Sequence, residues 1–406
     1  MTKSMPTAVN SPPTLALLIA LSWVNPVALN MTLPSMPTMA ADLNAPYAMV
    51  QLSLSLFLVA IAVAQLILGP LSDRYGRRSV LIWGGALFVA ASGLCAVAGS
   101  IEVLLAARIL QAIGGCAGVV LVRAIVQDVY GRDRAASMLG YVTMGVAVAP
   151  MLAPLAGGYV GGWAGWRASF VCLAVAGAVV LMWTALRLRE TARRDSYRAG
   201  RDIVRDFAQL CRQRAFWFYA LVVALSNGVF FSFLGGAPLV AVEALGMTPQ
   251  GYGLWFLVVA GGFILGNFLS GRWSHRLGIH WMIRVGVGLA LAAVAAIAVF
   301  AGTLGLSPLL LFGPMFFSGL GNGLITPNGI AGAVSVRPDI AGAAAGLTGS
   351  IQIGLGAAAS ALVGVVIDAG NGPVHTNALV IVMLGLATLA FFLGMARPTK
   401  PLATPA

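Results

Sequence analysis

GPLSDRYGRR, residues 69–78, sets one Asp and three Arg directly after an apolar run of more than twenty residues. Only 9% of the 406 residues are charged and 59% are hydrophobic. Charge gathered at the end of such a run marks the place where an apolar helix leaves a low-dielectric medium, because a chain with so little charge cannot scatter it in hydrocarbon. Long uncharged runs recur to the C-terminus, each able to cross the roughly 30 Å core of a bilayer as a helix. Closed barrels would need alternating segments of about ten residues, and these runs are continuous. The expectation is an all-α, multi-pass integral membrane protein.

Twelve apolar segments can be counted: 14–34, 47–69, 79–99, 101–124, 137–160, 166–186, 216–240, 250–271, 281–302, 308–329, 341–366 and 376–396. With the N-terminus placed inside, 21 of the 24 Lys and Arg fall on or next to the inner side. Arg108 and Arg123 lie within segment 4, and Arg167 alone falls near the outside. Retention of positive charge inside then predicts cytoplasmic N- and C-termini. The net charge of +12 is thereby explained as topology, and no nucleic-acid partner is needed. Residues 1–13 lead into segment 1 with no small-residue cleavage site, so that segment reads as a membrane helix and not as a removable leader. The four cysteines show neither disulfide nor metal spacing, and no metal or cofactor is expected.

The long polar stretch, 187–215, divides the chain into an N-terminal six-helix bundle (1–186) and a C-terminal one (216–406). Within it IVRDFAQL has helical apolar spacing, so it reads either as an amphipathic helix on the inner face or as a solvated charged linker. GPLSDRYGRR repeats as GRWSHRLGIH at 271–280, an offset of 202, with Gly69/Gly271, Ser72/Ser274, Arg74/Arg276 and Gly76/Gly278 matching. Asn25 and Asn227 fall at the same offset. Two related six-helix halves with a site between them is the architecture that such a repeat implies.

These residues resemble a known family. GPLSDRYGRR is similar to the loop 2–3 signature of the major facilitator superfamily, RILQAIGG (108–115) to its helix 4 motif, and APLAGG (153–158) to the helix 5 motif of proton-linked exporters. LPSMPTMAADL and VQLSLSLFLV resemble the Bcr/CflA-type multidrug efflux branch. The resemblance implies a bacterial inner-membrane transporter, expected to act as a monomer, that exports amphiphilic drugs or metabolites in exchange for protons. It also implies a latch of Gly69, Asp73, Arg74, Gly76, Arg77 and Asp128. In that latch Asp73 docks at the N-terminus of helix 11 when the pocket faces outward, Arg77 pairs with Asp128, and Arg74 faces Asp339. Gly69 and Gly76 are expected to let the chain turn tightly.

Pro150, Pro154, Gly157 and Gly158 in helix 5 fit either export or close helix packing. The cavity that the resemblance implies, lined by helices 1, 4, 7 and 10, offers Asn25, Asn30, Arg108, Gln111, Asn227, Phe230, Phe231, Asn322 and Thr326 as substrate-binding candidates. Arg108 lies about seven residues into its helix, where an ion without partners costs several kcal/mol. Asn30 stands where the branch commonly has Asp, so Arg108 either bonds to Asn30, Gln111 and backbone carbonyls or receives an anionic group of the substrate. No carboxylate lies well inside any segment, so either coupling uses Asp128, the proton-coupling candidate, or another acid at a segment end, or the protein is coupled differently. An importer or facilitator of an anionic small metabolite or siderophore-like compound, not proton-coupled through helix 1, is the alternative. A membrane enzyme would need clustered acids, histidines or a metal motif, and the sequence has none.

Overall fold

The computed structural model describes residues 13–191, 200–303, 307–337, 340–368 and 373–396. Asp339 and linker residues 192–199 lie outside the described residues, as do the side chains of Asp133, Asp368 and His375. Every element among the described residues is helical. Lipid offers backbone groups no hydrogen-bond partners, and a helix satisfies them within itself.

The chain enters through α1 (Leu15–Asn30), capped by Thr14, whose hydroxyl accepts from the Leu17 amide at 3.4 Å. A 3₁₀ turn (Leu33–Ser35) and α2 (Met36–Asp42) complete the first span. There follow α3 (Tyr47–Tyr75), α4 (Arg77–Ala96), α5 (Ile101–Ala147), α6 (Ala149–Ala164) and α7 (Trp166–Arg187). The short α8 (Gly200–Cys211) leads to α9 (Arg214–Leu239), α10 (Pro249–Leu277), α11 (Ile279–Thr303), α12 (Pro308–Val336), α13 (Ala341–Asp368) and α14 (Pro373–Met395). Among the described residues, ten helices are long and apolar enough to cross a membrane, and α14 adds a shorter apolar stretch, Leu379–Met395.

Segments 4 and 5 differ from the sequence expectation of 101–124 and 137–160, because the 47-residue α5 runs through both. A straight helix of that length would span roughly 70 Å, more than twice the hydrocarbon core. Its contacts with α1 show that it folds back. Going along α5, Arg108 meets Ala28, Gly118 meets Leu21, and Tyr130 reaches Pro13. Gly145 is then back beside Ile19 and Trp23. The second arm joins α6 at Val148, two residues before Pro150, which has no N–H to continue the ladder. Counted this way, the fold is consistent with twelve passes.

The repeat is visible in the backbone. At the 202-residue offset the bounds of α3 coincide with those of α10, and both start a following helix after one glycine. Gly76 (φ 93°) and Gly278 (φ 83°) take the same left-handed conformation there, which a side chain would strain. Asn44 (φ 47°) and Gly246 (φ 60°), again 202 apart, repeat the match in the turns at the opposite end. Gly69 behaves otherwise than expected. It sits inside α3, which continues helical to Tyr75, so the tight turn is made by Gly76 alone.

The two halves meet through α3 against α13 and α6 against α10. Large apolar side chains point outward around the bundle, Trp163 being 91% and Trp83 76% exposed. Such a surface suits lipid, in which it carries no hydrophobic penalty.

Candidate functional site

At the end carrying GPLSDRYGRR, the bend at Gly76 sets the last turn of α3 beside the first turn of α4. Arg77 is thereby turned inward, 9% exposed, with its Nη1 2.6 Å from Asp73 Oδ1 and its Nε donating to Asp128 Oδ2 at 3.2 Å. Nη1 also donates to the Ser72 hydroxyl. Charge-assisted bonds of this kind are about twice as strong as neutral ones, and here they tie α3, α4 and α5 into one corner.

Sequence reading passed over Glu190. Its two carboxylate oxygens accept from the Arg77 amide at 2.8 Å and the Arg78 amide at 3.2 Å. A carboxylate on the unpaired N–H groups of a helix start is stabilised by both hydrogen bonds and dipole. Arg78 returns the tie, donating to the carbonyls of Leu188 and Ala185 at 2.9 Å each. The available signal was a lone Glu within a run of arginines. Arg74 is exposed, with its guanidinium over the Tyr75 ring. Asp73 engages its own half in this structure. Gly342 and Gly346 in the first turns of α13, where the docking was expected, face open space.

At the opposite end the halves are closed on each other. Tyr47 of α3 donates its hydroxyl to the Gly235 carbonyl at 2.9 Å, and Gln51 donates Nε2–H to the Ser360 carbonyl at 2.5 Å. Here the helix 5 residues do their packing. A Cβ at Gly158 would stand 2.4 Å from the Pro249 carbonyl of the other half, and one at Gly157 would stand 1.8 Å from the Met31 carbonyl. Pro154 sits within α6, its carbonyl 2.7 Å from where a Cβ on Gly253 of α10 would be. Trp166 and Arg167 both donate to Asp42, joining α7 to α2.

Between these ends lie the substrate-binding candidates, in two groups. In the C-terminal half, α9 and α12 bring together Asn227, Asn322 and Thr326. The Asn227 amide donates to Asn322 Oδ1 and to Thr326 Oγ1 at 3.2 Å each, and Thr326 donates to Asn322 Oδ1 at 2.8 Å. Asn227 and Asn322 are buried, and Thr326 is half-buried. Phe230 and Phe231 continue this wall, Phe230 stacking obliquely on Phe256 and Phe231 lying against Gly356.

In the N-terminal half, Arg108 is 1% exposed. Its Nη1 donates to the Ala28 carbonyl at 3.0 Å and to Gln111 Oε1 at 2.6 Å, and Gln111 passes a donor on to Ser92 at 2.8 Å. Phe57 lies 4.1 Å and Phe170 5.8 Å from the guanidinium. The Ala28 carbonyl is one of the last four of α1, so a cation there satisfies a helix C-terminus. Asn30 points elsewhere, donating to the Pro26 carbonyl at 2.8 Å, while the buried Oδ1 atoms of Asn25 and Asn30 accept nothing. Among the described residues no group of three His, Cys, Asp or Glu could hold a metal.

The fold, the signature corner and the closed end can be set beside known proteins. The family model described as Major Facilitator Superfamily matches residues 18–361. The chain belongs to the major facilitator superfamily. The MFS-type transporter YdgK of Bacillus subtilis is 32% identical over 388 residues, covering 93% of this chain and 94% of that one. A chloramphenicol resistance protein of Pseudomonas aeruginosa is 33% identical, covering 80% and 75%. A bacterial homolog to the human lysosomal transporter Spinster, solved in an inward-facing and occupied conformation, aligns over 97% of this chain and 98% of its own. Its TM-score is 0.74 at 20% identity, a likeness of fold. As a member of this superfamily the chain is a multi-pass small-molecule transporter with relatives that confer antibiotic resistance.

Proposed function

We propose that this transporter exports amphiphilic drugs or small organic metabolites across the bacterial inner membrane in exchange for protons, by alternating access. The observation that carries the reading is the Asn227–Asn322–Thr326 cluster beside Phe230 and Phe231. A neutral, rearrangeable amide and hydroxyl set on an aromatic wall holds an amphiphile without demanding one charge. The chloramphenicol resistance relative supports outward transport of such a compound.

With both termini cytoplasmic, the signature corner faces the cytoplasm and the end closed by Gln51 and Tyr47 faces outside. The state described is then open inward, with Asp73 held by Arg77 and released from the other half. Outward opening breaks the Gln51 and Tyr47 contacts and lets Asp73 dock on the N-terminus of α13. Asp128 carries the proton: protonation removes its charge from Arg77 and frees the corner to rearrange. The test is pH-gradient-driven transport by Asp128→Asn in vesicles. Transport that no longer follows the gradient supports the assignment, and wild-type coupling in the variant removes it.

A second reading, a facilitator of an anionic metabolite, draws on the lack of a carboxylate contacting Arg108 among the described residues. Against it stands the enclosure of that guanidinium between Phe57 and Phe170.

A further inference from the structure

The fourth span carries two arginines, and the structure treats them differently. Arg108 is buried, its guanidinium bonded to the Ala28 carbonyl and Gln111 and enclosed by Phe57 and Phe170. Arg123 is exposed and has no hydrogen-bond or ion-pair partner among the described residues. A segment ending at residue 124 would bring Arg123 to the interface. The membrane-crossing part of α5 runs on to Tyr130 instead, and Asp128, the next acid along it, is already bonded to Arg77 at the signature corner. Side chains on a helix lean toward its N-terminus, so Arg123 leans away from that corner and toward the middle of the membrane.

The face on which Arg123 stands is turned toward the interior of the bundle. Residues two turns apart share a face of a helix, so Arg123 lines up with Cys116 on one side and Tyr130 on the other. Cys116 lies against the Ile61 carbonyl of α3 at 3.8 Å, and Tyr130 donates to the Pro13 carbonyl at the entrance to α1 at 3.4 Å. Leu121, Val122, Ile125 and Val126 are buried around the rest of the helix. Val103 and Leu110, on the exposed apolar face of α5, are turned from Arg123 by roughly 150°. A guanidinium facing hydrocarbon would need a partner or a water defect. One that is exposed, unpaired and set between contacts to α3 and α1 stands in water, on the wall of the cavity between the halves.

We propose that Arg123 selects the charge of the substrate: it receives a carboxylate or sulfonate on an amphiphile that enters the cavity, and it repels organic cations. The inference rests on the reading of the cavity as a site for amphiphiles. Phe230 and Phe231 offer an apolar wall and the Asn227–Asn322–Thr326 cluster offers neutral polar groups, and Arg123 adds the charge that they lack. A guanidinium meets a carboxylate through two parallel N–H bonds, and with no protein partner its donors are uncommitted.

The test is fluorescence titration of the full chain in detergent with probes that share one fluorophore: dansylglycine, an acid, dansylglycinamide, which is neutral, and dansylcadaverine, a cation. Wild type binds the acid about tenfold more tightly than the cation, a difference of about 1.4 kcal/mol. Arg123→Gln brings the two within about twofold, Arg123→Lys keeps the preference and Arg123→Glu reverses it. Unfolding temperatures stay near wild type, since no contact is lost. The neutral probe separates this inference from the reading beneath it. If Asn227→Leu weakens dansylglycinamide while wild type binds acid and cation equally, the charge selector is overturned and the amphiphile site stands. Absence of binding by every probe to wild type overturns both. A preference for the acid that persists in Arg123→Gln and Arg123→Glu makes the arginine a mere anchor of the helix and overturns the proposal.

Discussion

Gln51 of α3 reaches across the boundary between the two halves and donates to the carbonyl of Ser360 on α13 at 2.5 Å. The side chain lies close against Gly235 and Gly364, where a methyl group on either would meet the amide. This bond belongs to one state of an alternating cycle, so its removal should shift the population. A buried hydrogen bond contributes about 1 kcal/mol, and Gln51→Leu should therefore move the closed-to-open ratio at that end roughly fivefold toward open. Spin labels at Ala45 and Leu245 report it as a longer distance population. An unchanged distribution would mean that the bond is incidental to closure.

Gly158 tests the same closure by sterics. A side chain there meets the Pro249 backbone carbonyl, which cannot rotate away. Gly158→Val should lower transport about tenfold or more, a barrier of at least about 1.4 kcal/mol, at normal membrane abundance. Gly69→Ala, with open space around it, should transport like wild type. Vesicle uptake normalised to protein amount separates the two.

Arg77 bonds Ser72, Asp73 and Asp128 at once, so Arg77→Ala leaves two partly buried carboxylates beside each other. A destabilisation of about 1–3 kcal/mol is expected, read as a lower unfolding temperature in detergent. Arg77→Lys should recover only part of it, because an ammonium cannot fork between two acids. Full recovery by lysine would show that the charge alone matters.

For Arg108 the enclosed geometry predicts a structural signature. Arg108→Met leaves the Ala28 carbonyl and the Gln111 amide without their donor and should cost about 1–3 kcal/mol of stability. Affinity for an amphiphilic ligand should stay within about twofold, less than 0.5 kcal/mol. Loss of binding with stability intact would favour the anion facilitator.

Much of the fold could be read from residues 69–78 and their repeat, because a bilayer permits few solutions to an apolar run ending in charge. The offset of 202 carried the lengths of α3 and α10 and the conformation of Gly76 and Gly278. The end of α3 was harder to place. Gly69 and Pro70 look like a turn, yet the helix passes through them to the interface, where charged side chains are solvated and helical bonding still holds. Glu190 was hidden because its partners are backbone amides, which have no residue signature. Gln51 reads as one amide in an apolar run, and its role depends on a carbonyl 309 residues away.

The measurement closest to the central claim is proton movement in inside-out vesicles with a pre-acidified lumen, challenged with antibiotics, cationic dyes and organic anions. Drug–proton exchange predicts that one class of amphiphile alkalinises the lumen, that Asp128→Asn abolishes the response, and that Asn227→Leu weakens the half-saturating concentration about tenfold, or about 1.4 kcal/mol. If no compound moves protons while labelled anions still cross, and Arg108→Ala stops them, exchange of drug for protons is contradicted.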